Sequence, residues 1–316
     1  MIMAPGLHER LRRNAEAEIA RIAAYAGGET GVAACHPGSG LVLTVADASM
    51  YPPASTIKMP IALALLDRID RGELHLTDVI EVLPGEMNPA GPIGEEFLHP
   101  GVSLSLLNLL EPMITRSCNT ATDVLFRVLG GPEQVQAYLQ RVGISEFEVK
   151  RTMRESLCVL HEIPLPPPDV SMVQALRAQP HDVLDARNRT NADFHHDQRD
   201  HATPRAMLSL LTRLWQGELL QPQSRNLLLE IMSRTTTGAA RVRTGLPPGV
   251  LFASKSGSGA GTAVEVGYLT LPQARGTVAL AIFVKSSPLT MGEREAVIAE
   301  IGRVIYDYFV ITAQPG

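Results

Sequence analysis

Lysine is nearly absent from this sequence of 316 residues: of its 28 basic side chains only Lys58, Lys150, Lys255 and Lys285 are lysines. A motif built on lysine therefore rarely arises here by accident. Aromatic residues make up only 4% of the chain, and 33 acidic side chains outnumber the basic ones, for a formal net charge of −5. With no net positive field to neutralise phosphates, a nucleic-acid partner is excluded. Cysteine is scarce too, and Cys35, Cys118 and Cys158 are odd in number and widely spaced. They give neither a disulfide framework nor a CxxC zinc site, so three reduced, buried thiols are expected. No run of about 18 apolar residues occurs, and no membrane-spanning helix is expected. Residues 1–13 lack the continuous apolar stretch of a secretory leader. As it stands the chain is expected in the cytoplasm, or in the periplasm or outside the cell if a leader has been removed.

What is present is a core-forming chain. Forty-five per cent of it is hydrophobic, which with the low net charge excludes disorder. Its length allows one large domain or two packed together. Leu7, Leu11, Ala15, Ile19, Ile22 and Ala23 share one face of a helix predicted over 7–26, stopped by Gly27-Gly28. Two short apolar runs, Thr30–Cys35 and Leu41–Val45, flank a turn sequence and read as a hairpin. The pattern from about Ala54 to Trp215 is mostly helical. Strands return at Ala263–Leu271 and Thr277–Lys285, before a final amphipathic helix that carries Val297, Ile298, Ile301, Ile305 and Phe309. The expected class is α/β (α+β): an antiparallel sheet built from both ends of the chain, faced by terminal helices, with an all-helical domain inserted. The proline-rich stretch 151–198 reads as loop rather than helix.

Three short elements carry chemistry. Ser55-Thr-Ile-Lys58 is an SxxK element, against a chance expectation of roughly 0.2 matches in a chain with so few lysines. Ser117-Cys-Asn119 is an SxN element; Ser224-Arg-Asn226 is a second match, expected on a solvated helix face within 221–232. Lys255-Ser256-Gly257 is a K-[ST]-G element leading into the late strands. A serine hydroxyl needs a base beside it to act as a nucleophile near neutral pH. One helical turn brings residues i and i+3 to the same face, so the Lys58 amine is expected under the Ser55 oxygen. The N–H of Ser55 and that of Ser258 are candidates for an oxyanion hole. Lys255 and Ser117 can relay a proton to a leaving nitrogen, and Asn119 can hold a substrate amide. Each element alone also describes an ordinary cap, turn or strand entry; the three in this order point to a serine acyl-transfer site.

These elements resemble the active-site motifs of the penicillin-recognising serine enzymes, and their surroundings resemble class A β-lactamases. Pro53-Ala-Ser-Thr-Ile-Lys-Met-Pro60 is similar to that family's nucleophile segment, and Ser117-Cys-Asn-Thr-Ala121 to its S-D-N-T-A, with Cys118 in place of the aspartate. Arg199-Asp-His-Ala-Thr-Pro204 resembles the R-D-T-T-T-P that closes the family's omega loop. The resemblance covers nearly the whole chain except about 145–190. It implies a β-lactamase/transpeptidase-like fold with a five-stranded sheet, in which 1–54 and 206–316 form the sheet domain. Residues 55–205 then form the helical domain, with an omega loop and an atypical insert at about 150–185. It also implies a small-molecule substrate (a β-lactam or an acyl-D-Ala-D-Ala-like compound), a monomer, and no cofactor or metal.

Two departures bear on activity. The family's omega-loop glutamate lies in an E-x-x-L-N pattern; counting back from Arg199 puts the asparagine on Asn191, a candidate substrate-binding residue, and the glutamate position on Arg187 or Asn188. Neither is a carboxylate. Glu162, Asp182, Asp185, Asp193, His195 and His196 are candidate substitutes. The family's arginine on the strand after K-[ST]-G is also missing, and Arg241, helped by Thr237 and Ser256, is expected to bind a substrate carboxylate. Acylation at Ser55 followed by slow deacylation is the expected behaviour. A D-alanyl-D-alanine carboxypeptidase or small-ester hydrolase, and a non-catalytic penicillin-binding sensor, are the alternatives. The cluster 195–201, with three imidazoles and two carboxylates, matches neither HExxH nor HxHxDH and reads as a solvated loop. No GxSxG serine and no phosphate loop occur.

Overall fold

The computed structural model describes residues 5–97, 101–180, 183 and 185–314. The two ends of the chain meet in one antiparallel sheet. Its strands are β1 (Glu29–His36), β2 (Leu41–Val45), β3 (Phe252–Gly259), β4 (Thr262–Thr270) and β5 (Thr277–Lys285), in the order β2-β1-β5-β4-β3. Val32 of β1 lies opposite Ile282 of β5, so the first strand pairs with the last. Both hairpins predicted from the sequence are present, β1–β2 and β4–β5.

Period-two alternation divides β5 between two cores. Val278, Leu280, Ile282 and Val284 face one side and pack with Ile19 and Ile22 of α1 (Pro5–Ala23) and with Ile298, Ile301 and Ile305 of the last helix (Met291–Thr312). Ala279, Ala281 and Phe283 face the other side and join the helical block. Because helices cover both faces, β4 and β5 are buried at eight of their nine positions and lose the polar alternation of a half-exposed strand. That is why both read in the sequence as continuous apolar runs.

Through the middle of the block runs α2 (Lys58–Asp70), with every residue from Lys58 to Leu66 buried. A helix apolar all round must lie inside. Beside it lie α3 (Leu106–Thr115) and α4 (Asn119–Leu129).

Among the described residues, the segment 151–198, expected as loop, includes the helices α5 (Met153–His161), α6 (Met172–Arg177) and α7 (Ala192–His196). Capping chemistry explains the difference. Thr152 and Glu155 form a capping box on α5, Ser171 and Gln174 form another on α6, and the Asn191 carboxamide oxygen accepts the Phe194 N–H on α7. Buried Asp123 adds a second anchor for α5: Oδ1 accepts the Met153 N–H at 2.7 Å and Oδ2 the Arg154 N–H at 3.0 Å. The prolines at 164 and 166–168 fall between α5 and α6, where they break nothing.

An ion pair clamps this whole segment at its neck. Arg151 Nε lies 2.5 Å from Asp200 Oδ2, and Nη1 lies 2.7 Å from Asp197 Oδ2, with Arg151 and Asp200 each 6% exposed. The other oxygen of Asp200 accepts the backbone N–H groups of Lys150 and Arg151. Removing one partner of a buried pair strands the other charge, so Arg151→Ala is expected to lower the unfolding free energy by about 3–5 kcal/mol. Urea denaturation monitored by far-UV circular dichroism measures this; a loss below about 1 kcal/mol would show that the clamp is dispensable.

Candidate active site

Five polar side chains from three separate parts of the chain, Ser55, Lys58, Ser117, Asn119 and Lys255, converge where the sheet meets the helical block. Ser55 lies in the short 3-10 turn Ala54–Ile57 that leads into α2, so Ser55 and Lys58 are one turn apart on a shared face. The Lys58 ammonium nitrogen is fully buried and has four acceptors around it: Ser55 Oγ at 3.3 Å, Ser117 Oγ at 3.1 Å, Ser117 O at 2.7 Å and Asn119 Oδ1 at 2.7 Å. Ser117 has φ of 56°, in the left-handed region, which brings its carbonyl and its hydroxyl to the same amine. Asn119 is the first residue of α4 and donates its amide to Pro89 O at 2.9 Å.

From the other side, Lys255 Nζ of β3 donates to Ser117 Oγ at 3.0 Å and to Ser256 O at 2.6 Å. Two buried amines thus share one hydroxyl. Burial, then the charges of Lys58 and Arg241, push the Lys255 pKa well below the ordinary lysine value. Desolvation and mutual repulsion disfavour two adjacent ammonium ions, so the pair is driven towards one neutral amine, the form that can take a proton from a serine.

Close packing of β3 against the nucleophile turn sets the geometry. A Cβ placed on Gly257 would lie 2.9 Å from Ser55 N and 2.9 Å from Pro53 O, so only glycine lets the strand pass this near. Ser258, next along, lines the same cleft as Ser55 and Asn119. Ser256 Oγ donates to Thr237 Oγ1 at 2.7 Å, forming a hydroxyl pair beside Lys255.

Arg241 sits differently from a free carboxylate binder. It is 2% exposed; Nη1 donates to Gly257 O and Val264 O, Nε to Glu295, and Nη2 to Ser258 Oγ at 2.6 Å. Its guanidinium braces β3 and β4 and reaches the cleft edge only through Ser258. Asn191 is not brought to the site at all. It caps α7, and its amide donates to Val159 O and Glu162 Oε1. Ser224, expected on a solvated face, is 7% exposed and donates to Asp70 Oδ1.

The cleft beside Ser55 is narrow, with a cavity volume of about 50 Å³. Helices α5 and α7 contribute Met153, Ser156, Leu157, Leu160 and Phe194 to its lining. Among the described residues, none of the expected substitutes for the family's glutamate lines it. Asp185 accepts from Asn188, Glu162 from Asn191, and Asp193 is exposed. The His195, His196 and His201 rings engage three different carbonyls, those of Ala260, Ala192 and Gln198. Asn188 is exposed, while Asp182 and the Arg187 side chain lie outside the described residues. The only carboxylate lining the cleft among the described residues is Asp200, which is committed to Arg151. The apolar wall was missed in the sequence although a signal existed: Thr152-x-x-Glu155 opens a helix, and Met153, Leu157 and Leu160 then fall at i, i+4 and i+7.

A second feature missed in the sequence is Glu265 on β4. It sits opposite Ser256 and is fully buried, accepting the Val242 N–H at 2.9 Å and Ser254 Oγ at 3.3 Å. Desolvation raises its pKa to about 7, with the Arg241 charge acting in the opposite direction.

Comparison with known proteins agrees with this geometry. The profile described as "Beta-lactamase enzyme family" matches residues 14–309. Beta-lactamase VEB-1 of Pseudomonas aeruginosa is 27% identical over 270 residues, covering 82% of this chain and 78% of that protein. Extended-spectrum beta-lactamase PER-1 of the same organism is 27% identical over 266 residues, covering 82% and 75%. Among solved structures, a beta-lactamase from Chitinophaga pinensis superposes with a TM-score of 0.75 at 28% identity, over 93% of this chain and 98% of that one. An ancestral class A beta-lactamase gives 0.76 at 27% identity, over 93% and 99%.

The sign of the Glu265 effect on stability follows from its raised pKa. The folded carboxyl keeps its proton up to about pH 7, whereas the unfolded one ionises near its ordinary 4.5, so this group costs stability progressively between those values. Glu265→Gln is therefore expected to gain stability relative to the parent as pH rises from 4.5 to 7, by up to about 3 kcal/mol, with no further gain above. Parallel stability–pH curves for the two proteins would rule this out.

Proposed function

The chain belongs to the beta-lactamase enzyme family, and from that premise we propose that it opens β-lactam rings through an acyl-enzyme on Ser55 and releases the product slowly. At family level it is a β-lactamase-like hydrolase related to class A enzymes. The observation that carries the finer reading is the position of Lys58 Nζ, within reach of both Ser55 Oγ and Ser117 Oγ, with Lys255 on the far side of Ser117.

The steps follow from these contacts. The pair holds one neutral amine; once the proton on Lys58 has passed through Ser117 to Lys255, neutral Lys58 takes the Ser55 proton as Oγ bonds to the lactam carbonyl carbon. The N–H groups of Ser55 and Ser258, together with the N-terminal end of α2, stabilise the developing oxyanion. The carbon–nitrogen bond then breaks, and the proton held by Lys58 passes through Ser117 to the departing nitrogen, restoring neutral Lys58. Asn119 offers its amide to the substrate's side chain. The substrate carboxylate falls to the Ser256 and Thr237 hydroxyls, with the charge of Lys255 beside them and that of Arg241 behind Ser258.

Deacylation requires a water activated on the cleft side of the ester. Met153, Leu157, Leu160 and Phe194 supply no base there, and the Asp200 carboxylate is neutralised by Arg151. Losing a general base typically costs about 10²–10⁴-fold. The same lack of a base also suits an acyl-transfer enzyme acting on esters or D-Ala-D-Ala peptides, the second reading.

Intact-mass spectrometry after mixing with a penicillin is expected to show one adduct per chain, located on Ser55 by peptide mapping and absent from Ser55→Ala. Recovery of free protein within seconds would overturn the slow-release reading. Turnover of a D-Ala-D-Ala peptide or p-nitrophenyl acetate without any penicillin adduct would favour the second. Separately, Lys58→Ala is expected to slow adduct formation by about 10²–10⁴-fold in stopped-flow measurements with a chromogenic cephalosporin. An unchanged rate would remove Lys58 from the proton path.

A further inference from the structure

A second cavity, of about 590 Å³, lies at the other end of the sheet and shares no lining residue with the cleft beside Ser55. From Val264, opposite Gly257, to Thr270 at the end of β4 the chain runs along extended strand for about 20 Å. The cavity forms where the β1–β2 and β4–β5 hairpins meet the start of α1 and the ends of the helices Pro204–Gln216 and Met291–Thr312. Its volume is that of a small-molecule site. Trp215, the single tryptophan of the chain, is 36% exposed on its wall, the ring 5.4 Å from that of Tyr268. Leu41 adds a second apolar surface, and Arg275, His8 and His36 line the rest. Among the described residues no aspartate or glutamate lines it, although the chain as a whole carries a net charge of −5.

Arg275 is the group in this cavity whose charge is not answered. All its acceptors among the described residues are neutral: Nη1 donates to Val310 O and Ala313 O at the C-terminal end of the last helix, and Nη2 to Gln273 Oε1 at 3.2 Å. Its buried Nε has no acceptor, and neither has His8 Nδ1 a partner. His36, 5% exposed, fixes the backbone beneath the arginine. A carbonyl can only accept, so Nε2 donates to Arg275 O at 2.7 Å, and Nδ1 is left to accept from Ser39. A buried donor without an acceptor costs free energy that an incoming oxygen recovers.

We propose that this cavity is a second ligand site, which binds an aromatic carboxylate with its ring against Trp215 and Leu41 and its carboxylate on Arg275. The side-on fork of Nε and Nη2 suits the two oxygens of a carboxylate, once the exposed Gln273 amide gives way. An aromatic ring gains both burial and stacking from the indole. A cationic ligand would meet Arg275 with no carboxylate beside it, and a neutral one would leave its charge unanswered. The site stands independently of the chemistry at Ser55. A ligand here joins both hairpins to the terminal helices, so it stabilises the folded chain by mass action.

Because Trp215 is the only tryptophan, its fluorescence reports on this cavity. The probes are 3-phenylpropionate, 3-phenylpropanamide and 3-phenylpropylamine, which keep the ring and change the charge. Titrating the full chain near neutral pH with 3-phenylpropionate is expected to change the tryptophan emission saturably, with a Kd of about 1 mM or tighter. The amide and the amine are expected to bind at least about tenfold more weakly. The carboxylate is also expected to raise the melting temperature more than either of them at equal concentration. Arg275→Gln, shown to be folded by far-UV circular dichroism, is expected to weaken 3-phenylpropionate by at least about tenfold. Should that variant not fold, the charge series in the parent protein decides alone. Equal affinity for all three probes would overturn recognition of the carboxylate. No saturable emission change and no rise in melting temperature with 3-phenylpropionate, or an unchanged Kd in folded Arg275→Gln, would overturn the site.

Discussion

Two lysines sharing one serine hydroxyl inside a protein is the arrangement on which the rest of this structure depends. In water both amines would be charged and would stay apart. Here Lys58 and Lys255 are both fully buried, and both lie within about 3 Å of Ser117 Oγ. Burial turns an unremarkable pair of side chains into a proton-sharing unit, because a second positive charge in that space is disfavoured both by lost hydration and by the first. The fold has to hold the amines, the hydroxyl and Ser55 in register while water is kept out.

Several local compromises serve that end. Ala54 and Ser117 both take left-handed backbone conformations, φ 45° and 56°, which residues with a Cβ adopt at a cost. Gly257 has no room for a side chain, and a Cβ on Gly91 would lie 2.4 Å from Cys118 Cα. The apolar all-round burial of α2 and the two-faced burial of β4 and β5 supply the rigidity that holds these conformations. Buried Glu265 and Arg241 tie β3 and β4 to the 242–245 turn from behind, so the strand that carries Lys255 is braced on the side away from substrate.

The segment between Arg151 and Asp200 is a separate problem in packing. It carries its own small core, in which Leu157, Leu160, Met172, Leu176 and Phe194 bury one another. An ion pair joins its two ends. This lets the wall of the cleft change its character without disturbing the lysine pair: the wall is set by α5 and α7, the pair by α2, α4 and β3. The apolar part of the lining then has one structural origin, a helix that turns Met153, Leu157 and Leu160 inward beside Ser156.

The sequence alone determined the identity and order of the candidate site residues. Ser55 and Lys58 are one helical turn apart, a relation fixed by local backbone geometry, and with so few lysines the SxxK and K-S-G elements stood out. The apolar runs of β1, β2, β4 and β5 and both hairpins were legible for the same reason, since alternation and turn chemistry act over a few residues. Helices α5 to α7 were not read, although Thr152/Glu155 and Ser171/Gln174 carry capping signals, because neighbouring prolines outweighed them. The sequence already preferred Ser117 to Ser224, through its place in Ser117-Cys-Asn-Thr-Ala121, but only the tertiary structure set it between two lysines that lie 59 and 138 residues away along the chain. It also turned Arg241 inward, set Asn191 to capping a helix, and brought Met153 and Phe194 to the cleft beside Ser55. These are long-range contacts, fixed by how layers pack and which charges can be buried together, and no short stretch of sequence contains that information.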